Sequence, residues 1–200
     1  MREAVVFRGA VVLGCLFVAR AVAAPTAYQF EGSAGELVFP AAPLTVAEGQ
    51  ELSQKFAGEA SVTLVWDGAA ATAQGGGQFH YAPASGTVLE LTVTNAAGTS
   101  TYSFSEYLVF VDDAAQIDTI VVTPFLLHDA SATLTTTTDV NLDIGIVFQD
   151  ATSATLTSTS ALPATLDFTK LDARDYGVLF LDPDTSNAIG RIDGALVPSP

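Results

Sequence analysis

Basic residues are scarce in this chain. Its 200 residues hold seven Lys and Arg against 22 Asp and Glu, a formal charge of −15. A surface with that imbalance repels phosphate backbones and anionic lipid, which excludes nucleic acid as a partner. Cysteine is nearly absent too. The one thiol, Cys15, sits inside an N-terminal apolar run. A chain trimmed of that run has no disulfide, no thiolate metal site and no cysteine nucleophile. Histidine occurs twice, as His80 and His128, one short of the three protein ligands a catalytic zinc needs. Charged residues make up only 14%, against about 25% in an average soluble protein. Exposed helices rely on Glu and Lys, so this shortage argues against a helical surface. Thr, Ser, Ala and Gly fill the gap, a usage suited to sheet.

What is there begins with a leader. Arg2 and Arg8 precede an apolar run over 9–19, and Ala21-Val22-Ala23 offers an A-x-A site with cleavage before Ala24. The run is shorter than the ~20 apolar residues of a spanning helix, and Arg20 closes it. Residues 1–23 therefore read as a signal peptide. Losing Arg2, Arg8, Arg20 and Glu3 with it leaves four basic residues, Lys55, Lys170, Arg174 and Arg191, against 21 acidic ones, or −17. The expected location is secreted or at the outer cell surface, with no membrane span in the mature chain.

The strongest periodicity is Thr138 to Gln149, TDVNLDIGIVFQ. Val140, Leu142, Ile144, Ile146 and Phe148 alternate with Asn141, Asp143, Gly145 and Gln149, and Val147 is the apolar exception. A period of two predicts a strand with one face on a core and the other mostly wet. Shorter runs predict further strands over 27–32, 36–39, 61–66, 78–81, 87–94, 99–104, 116–127, 131–138, 151–160, 176–181 and 187–197. Leu156 is expected to face inward. The segment 107–111, YLVFV, is nearly all apolar and reads as a strand buried on both faces. Residues 46–56 read as a short helix or a loop, and 166–173 as a helical turn. Gly75-Gly76-Gly77 lacks the leading strand and following helix of a dinucleotide loop and reads as a turn between strands. The fold class is all-β, an antiparallel sandwich or jelly-roll-like fold of roughly ten to twelve short strands. Residues 24–197 form one domain, with the only candidate seam near 112–116, and 198–200 are a linker or the start of a sorting motif.

Several short motifs carry a likeness. Tyr28-x-Phe30-x-Gly32 follows the leader, and Gly77-Gln78-Phe79-His80-Tyr81 has the form G-x-F-x-Y. Leu91-Thr92-Val93, Tyr102-Ser103-Phe104 and Val109-Phe110-Val111-Asp112-Asp113 follow in order. The tail runs through Leu162-Pro163, Leu166-Asp167-Phe168, Val178-Leu179-Phe180 and Ile192-Asp193-Gly194-Ala195-Leu196 into Val197-Pro198-Ser199-Pro200. Together they resemble the PEP-CTERM (exosortase-sorted) class of secreted proteins, whose sorting signal opens V-P-E-P. Ser199 stands where that class has Glu, and the helix and basic tail of its signal do not follow Pro200 in this sequence. The resemblance implies export through a Gram-negative envelope and a place near surface polysaccharide. A sorting enzyme is a partner where the gene carries the remaining signal. It implies no catalytic residues.

Two constellations invite chemistry. Asp182 to Asp193, DPDTSNAIGRID, sets oxygen side chains Asp182, Asp184, Ser186 and Asp193 at positions one, three, five and twelve of a loop. That spacing imitates an EF-hand Ca²⁺ loop. Asn187 at the glycine position, the short Asp193 and strand-like flanks favour a polar hairpin turn instead. Trp66, Tyr81, Tyr102 and Tyr107 are candidates for an exposed platform that stacks on sugar rings, or else for core. No G-x-S-x-G elbow is present, His128-Asp129 has no second histidine placed beside it, and no spacing singles out a carboxylate pair. The expected function is non-catalytic: an extracellular matrix or exopolysaccharide-associated component with no required cofactor. The alternative is a carbohydrate-binding module, with Ca²⁺ as its one cofactor, and a secreted hydrolase is more distant. Intact-mass measurement of the exported protein should give a chain that begins at Ala24; one that still carries residues 1–23 refutes the leader reading.

Overall fold

The computed structural model describes residues 24–35, 37–38, 44–114, 117–124, 130–133, 139–152, 155–156 and 158–199. The leader with Cys15, the His128-Asp129 pair and Pro200 lie outside the described residues. Among them, no helix is long and apolar enough to cross a membrane.

Among the described residues, twelve strands form one sheet. In chain order they are β1 (Thr26–Ala34), β2 (Gly58–Trp66), β3 (Thr72–Gly75), β4 (Gln78–Tyr81), β5 (Leu89–Asn95), β6 (Gly98–Phe104), β7 (Tyr107–Ala114), β8 (Ile117–Pro124), β9 (Ala130–Thr133), β10 (Asp139–Asp150), β11 (Ala173–Leu181) and β12 (Ala188–Pro198). The described residues also form one helix, α1 (Val46–Phe56), and one 3₁₀ turn (Phe168–Lys170). The spatial order is β3-β4-β7-β8-β10-β11-β12-β1-β2-β5-β6, and β9 pairs with the start of β10. Every pairing is antiparallel.

The alternation in 138–149 becomes the longest strand. Along β10, Val140, Leu142, Ile144, Ile146 and Phe148 are buried, and the residues between them are half-buried. The sheet folds over so that inner faces meet. Phe30 of β1 lies 5.6 Å from Phe148 of β10, and Phe168 packs against both at 4.9 and 4.8 Å. Phe56 of α1 sits between Tyr102 of β6 at 5.5 Å and Phe180 of β11 at 5.1 Å. The result is an all-β, sandwich-like fold made from a single sheet wrapped around one core. Gly194 permits the wrap: a methyl there would stand 2.4 Å from Tyr176 Cε1 and 2.5 Å from the Ser33 carbonyl oxygen.

Residues 46–56 resolve as helix for a local reason. Thr45 and Glu48 form a capping box, with Glu48 N–H donating to Thr45 Oγ1 at 3.3 Å and Thr45 N–H to Glu48 Oε2 at 2.7 Å. At the other end the Asn95 side-chain amide, on the β5–β6 turn, donates to the carbonyls of Gln54, Lys55 and Ala57. Leu52 and Phe56, one turn apart, bury the inner side of the helix.

Three expectations change. Strand 107–111 is buried on one face only: Tyr107, Val109 and Val111 point in, and Phe110 is 41% exposed. Residues 151–160 hold no strand among those described; they turn, and Leu156 alone is buried, because their Thr and Ser side chains bond within the loop instead of pairing in a ladder. The seam near 112–116 is no boundary, since β7 and β8 on its two sides pair from Tyr107–Pro124 to Ala114–Ile117. Of the expected strand 36–39, Val38 forms an isolated bridge to Arg191, and positions 36 and 39 lie outside the described residues.

Phe148 is fully buried where both halves of the sheet and the 3₁₀ turn meet. Phe148→Ala should lower unfolding free energy by about 3–5 kcal/mol in urea denaturation. A loss under about 1 kcal/mol would mean that the two inner faces do not pack as described.

Candidate functional site

The aromatic platform is not on the surface. Trp66 and Tyr107 are 1% exposed and Tyr81 4%. Trp66 Nε1–H donates to the Pro163 carbonyl at 3.0 Å, and the Tyr107 hydroxyl donates to the Val65 carbonyl at 2.9 Å. Tyr81 and Tyr107 pack at 5.1 Å, and Tyr102 is half-buried against Phe56. Burial pushes the Tyr107 hydroxyl far above the ordinary tyrosine range, with Tyr81 and the Asp67 carboxylate nearby adding to the shift and a hydrogen bond from the Asp67 backbone opposing it. These rings fill the space between strands, and a ring enclosed on both faces cannot stack on a sugar. Trp66→Ala is therefore a core deletion, not a test of binding.

The acidic loop is a turn. Asp182 Oδ1 accepts from Asp184 N–H at 2.9 Å and Thr185 N–H at 2.8 Å, and Ser186 N–H donates to the Asp182 carbonyl at 2.8 Å. Ser186 takes the left-handed conformation, φ 57°, in the position expected of Asn187. Asp193 does not join the others. It lies five residues into β12, which at about 3.3 Å per residue puts it roughly 17 Å beyond the start of that strand, and its carboxylate pairs with Arg191 at 2.8 Å. Four oxygens so separated cannot converge on one cation. No group of three acidic, histidine or cysteine side chains able to hold a metal occurs among the described residues.

His80 has a partner that its sequence neighbours did not reveal. Its Nε2 lies 2.8 Å from Glu106 Oε2. Tyr81 pairs directly with Tyr107 across β4 and β7, which brings the residue before each strand partner within reach. The pair orients an imidazole, as a carboxylate does in a hydrolytic triad. It stands on the outer face and also ties β4 to the β6–β7 connection.

The feature with the geometry of a binding surface is a trough of about 670 Å³ across β12, β1, β2 and β5. Two outward rows build it from register alone. One runs Val197, Glu31, Ser61, Thr92, and the next Ala195, Ser33, Glu59, Thr94. Their neighbours Phe30, Ala60, Val62, Leu91, Val93 and Leu196 point into the core. Small side chains keep the floor low, and Glu31 and Glu59 provide its carboxylates. On β6 the rows continue as hydroxyl pairs, Thr92–Thr101 at 3.0 Å and Thr94–Thr99 at 3.2 Å, with Ser103 Oγ donating to Glu90 at 2.9 Å. Each strand shows its polar alternation in sequence, but only the register between β1 and β2 brings the two glutamates together. No protein-family model, curated protein or solved structure matches the chain.

The Asp182 carboxyl is held below its ordinary value of 3.8, chiefly by the Thr185 N–H, with the Asp184 N–H adding to it and slight desolvation opposing. A depressed carboxyl stabilises the fold above the unfolded value and loses that contribution as pH falls through the folded one. Asp182→Asn keeps an acceptor and removes the charge. It should lower the melting temperature slightly at pH 7, and the gap should close when the scan is repeated in acid below the ordinary carboxyl range. A gap that persists unchanged in acid would show that the charge contributes nothing.

Proposed function

We propose that this chain is a non-catalytic component of the cell exterior that associates with exopolysaccharide through the trough on β12, β1, β2 and β5. The observation that carries the reading is the chemistry of that surface. Carboxylates at Glu31 and Glu59 beside hydroxyls at Ser33, Ser61, Thr92 and Thr94 match the hydroxyl pairs of a sugar, which donate to carboxylate and exchange bonds with Ser and Thr. The trough is open and shallow, suited to an extended polymer instead of a small enclosed ligand. Its sign selects the polymer. Two glutamates on a strongly acidic chain repel uronate-rich glycans, so the partner is a neutral or amino-sugar polysaccharide.

The resemblance to exosortase-sorted proteins supports the same location, and the sorting enzyme belongs to that reading. The alternative of a module that grips sugars by dry aromatic stacking loses three of its four candidate rings, because Trp66, Tyr81 and Tyr107 are interior and Tyr102 is half-buried against Phe56.

A glycan array spanning neutral, amino and acidic polysaccharides tests this. Saturable binding should appear on the neutral or amino-sugar class, and Glu31→Gln with Glu59→Gln should weaken it roughly tenfold per lost charged hydrogen bond. Thermal melts of the variants should match the parent, since both side chains are on the outer face. A flat array, or binding that the double variant leaves unchanged, overturns the proposal.

A further inference from the structure

The two ends of the sheet are finished differently. β3 closes one end and is short, and its pairing with β4 is broken by a bulge between Ala73 and Gly75. Gly75, Gly76 and Gly77 then all take positive φ. A bulged strand that ends in glycines has little regular backbone for a partner to pair with. β6 closes the other end. It runs in unbroken register with β5 from Gly98 to Phe104, and among the described residues it pairs with no other strand. Its Thr99, Ser100, Thr101 and Ser103 are exposed. Every second N–H and C=O along an edge strand points away from the sheet, so β6 presents a row of open backbone groups.

Edges of this kind are ordinarily guarded by charge or proline. β6 has neither. No charged residue and no proline occurs over 91–105, on a chain of formal charge −15. The flanking carboxylate on β5, Glu90, is engaged by Ser103 Oγ at 2.9 Å. Copies of so acidic a chain repel one another over most of their surface. This edge is where two of them can meet without opposing carboxylates.

The order of its side chains matches a second β6. With the two strands antiparallel and Thr101 opposite itself, Thr99 faces Ser103 and Ser100 faces Tyr102, each match occurring twice about the two-fold axis. On the outer face this opposes hydroxyl to hydroxyl, the pairing that β5 and β6 already make at Thr92–Thr101 and Thr94–Thr99. On the inner face it sets a small side chain against a large ring. Ser100 stands on that face, opposite buried Val93, yet it is exposed. Tyr102, stacked on Phe56 at 5.5 Å, is only half-buried and has surface left to cover it.

We propose that β6 is the docking edge for a second copy of this chain, which adds its own β6 antiparallel with Thr101 at the two-fold axis and continues the sheet from one copy into the other. The outward row Val197, Glu31, Ser61, Thr92, Thr101 then runs on through the same residues of the partner in reverse order. On the polysaccharide reading this sets two troughs on one face; the dimer itself does not rest on that reading.

Sedimentation velocity of the whole chain without sugar, from low-micromolar to sub-millimolar concentration, tests it. The ladder is short and the interface small, so a concentration-dependent monomer–dimer equilibrium is expected. Thr101→Glu sets two carboxylates opposite each other and should weaken dimerisation at least about tenfold, while the fold melts close to the parent. Mixing that variant with Thr101→Lys should restore a dimer. Thr72→Glu, which adds the same charge on β3, should leave the equilibrium as in the parent. Should Thr101→Glu fail to fold, Thr99→Glu serves, because it faces the partner's Ser103 and the Glu90 bonded to it, with the same loss expected. A parent that stays monomeric throughout, a Thr101→Glu chain that dimerises like the parent, or a mixture that stays monomeric overturns the proposal. The glycan array reads the polysaccharide proposal separately, so each can fail alone.

Discussion

The pairing of β1 with β12 is the contact on which the rest depends. It zips the first described strand to the last, from Phe30–Pro198 to Ala34–Gly194, and places β1 in the interior of the sheet between β12 and β2. Cut there, the path falls into two pieces, β1-β2-β5-β6 and the remainder. The closure is long-range, and loop-closure entropy must be met before such a contact contributes. Phe30 offsets it. The strand that closes the sheet also delivers the ring that touches Phe148 and Phe168, so registry and core packing are gained together. The side chains on this join are small for the same reason: Gly194 makes room for Tyr176, and a methyl at Gly32 would stand 2.1 Å from the Ala195 carbonyl oxygen.

A sheet that folds over itself explains which parts of the architecture were legible in sequence. Alternation over 138–149 marked the inward set of β10 correctly, because that strand is long and one period error would have exposed five large apolar residues. The strands at 61–66, 78–81, 176–181 and 187–197 were legible on the same ground. Segment 107–111 misled because Leu108 and Phe110 are apolar but outward, and a run without alternation does not say which face is covered. The helix over 46–56 had a usable mark in Thr45-Val46-Ala47-Glu48, a capping-box spacing, which its weak apolar pattern obscured.

The site was harder to read, for a physical reason. A trough on a sheet is made of neighbours in space: Glu31 and Glu59 are apart in the chain and meet only through register. The aromatic residues stood out by type, yet Trp66 and Tyr107 are large and carry one polar atom each, which a wrapped core accommodates by handing that atom to a backbone carbonyl. The oxygen spacing over 182–193 was real as a pattern. A strand begins at Ala188 and carries Asp193 away from the turn, whereas an EF-hand loop must curl back on itself.

Charge imbalance shapes the remaining stability. The exposed pairs Lys170–Asp167 and Arg191–Asp193 and the half-buried helical pair Lys55–Glu51 are of a kind worth about 1 kcal/mol or less each, so ion pairing on this surface does little against the repulsion of its acids. The fold therefore rests on apolar burial, and it keeps carboxylates apart by putting nearly all of them on the outer face or in turns. Asp118 and Asp150 break that arrangement. They are the two least exposed of the described aspartates, set directly opposite one another, and they are met there by donors from the residues that follow β10: Thr152 N–H and Thr155 Oγ1 at Asp150, and Leu156 N–H at Asp118.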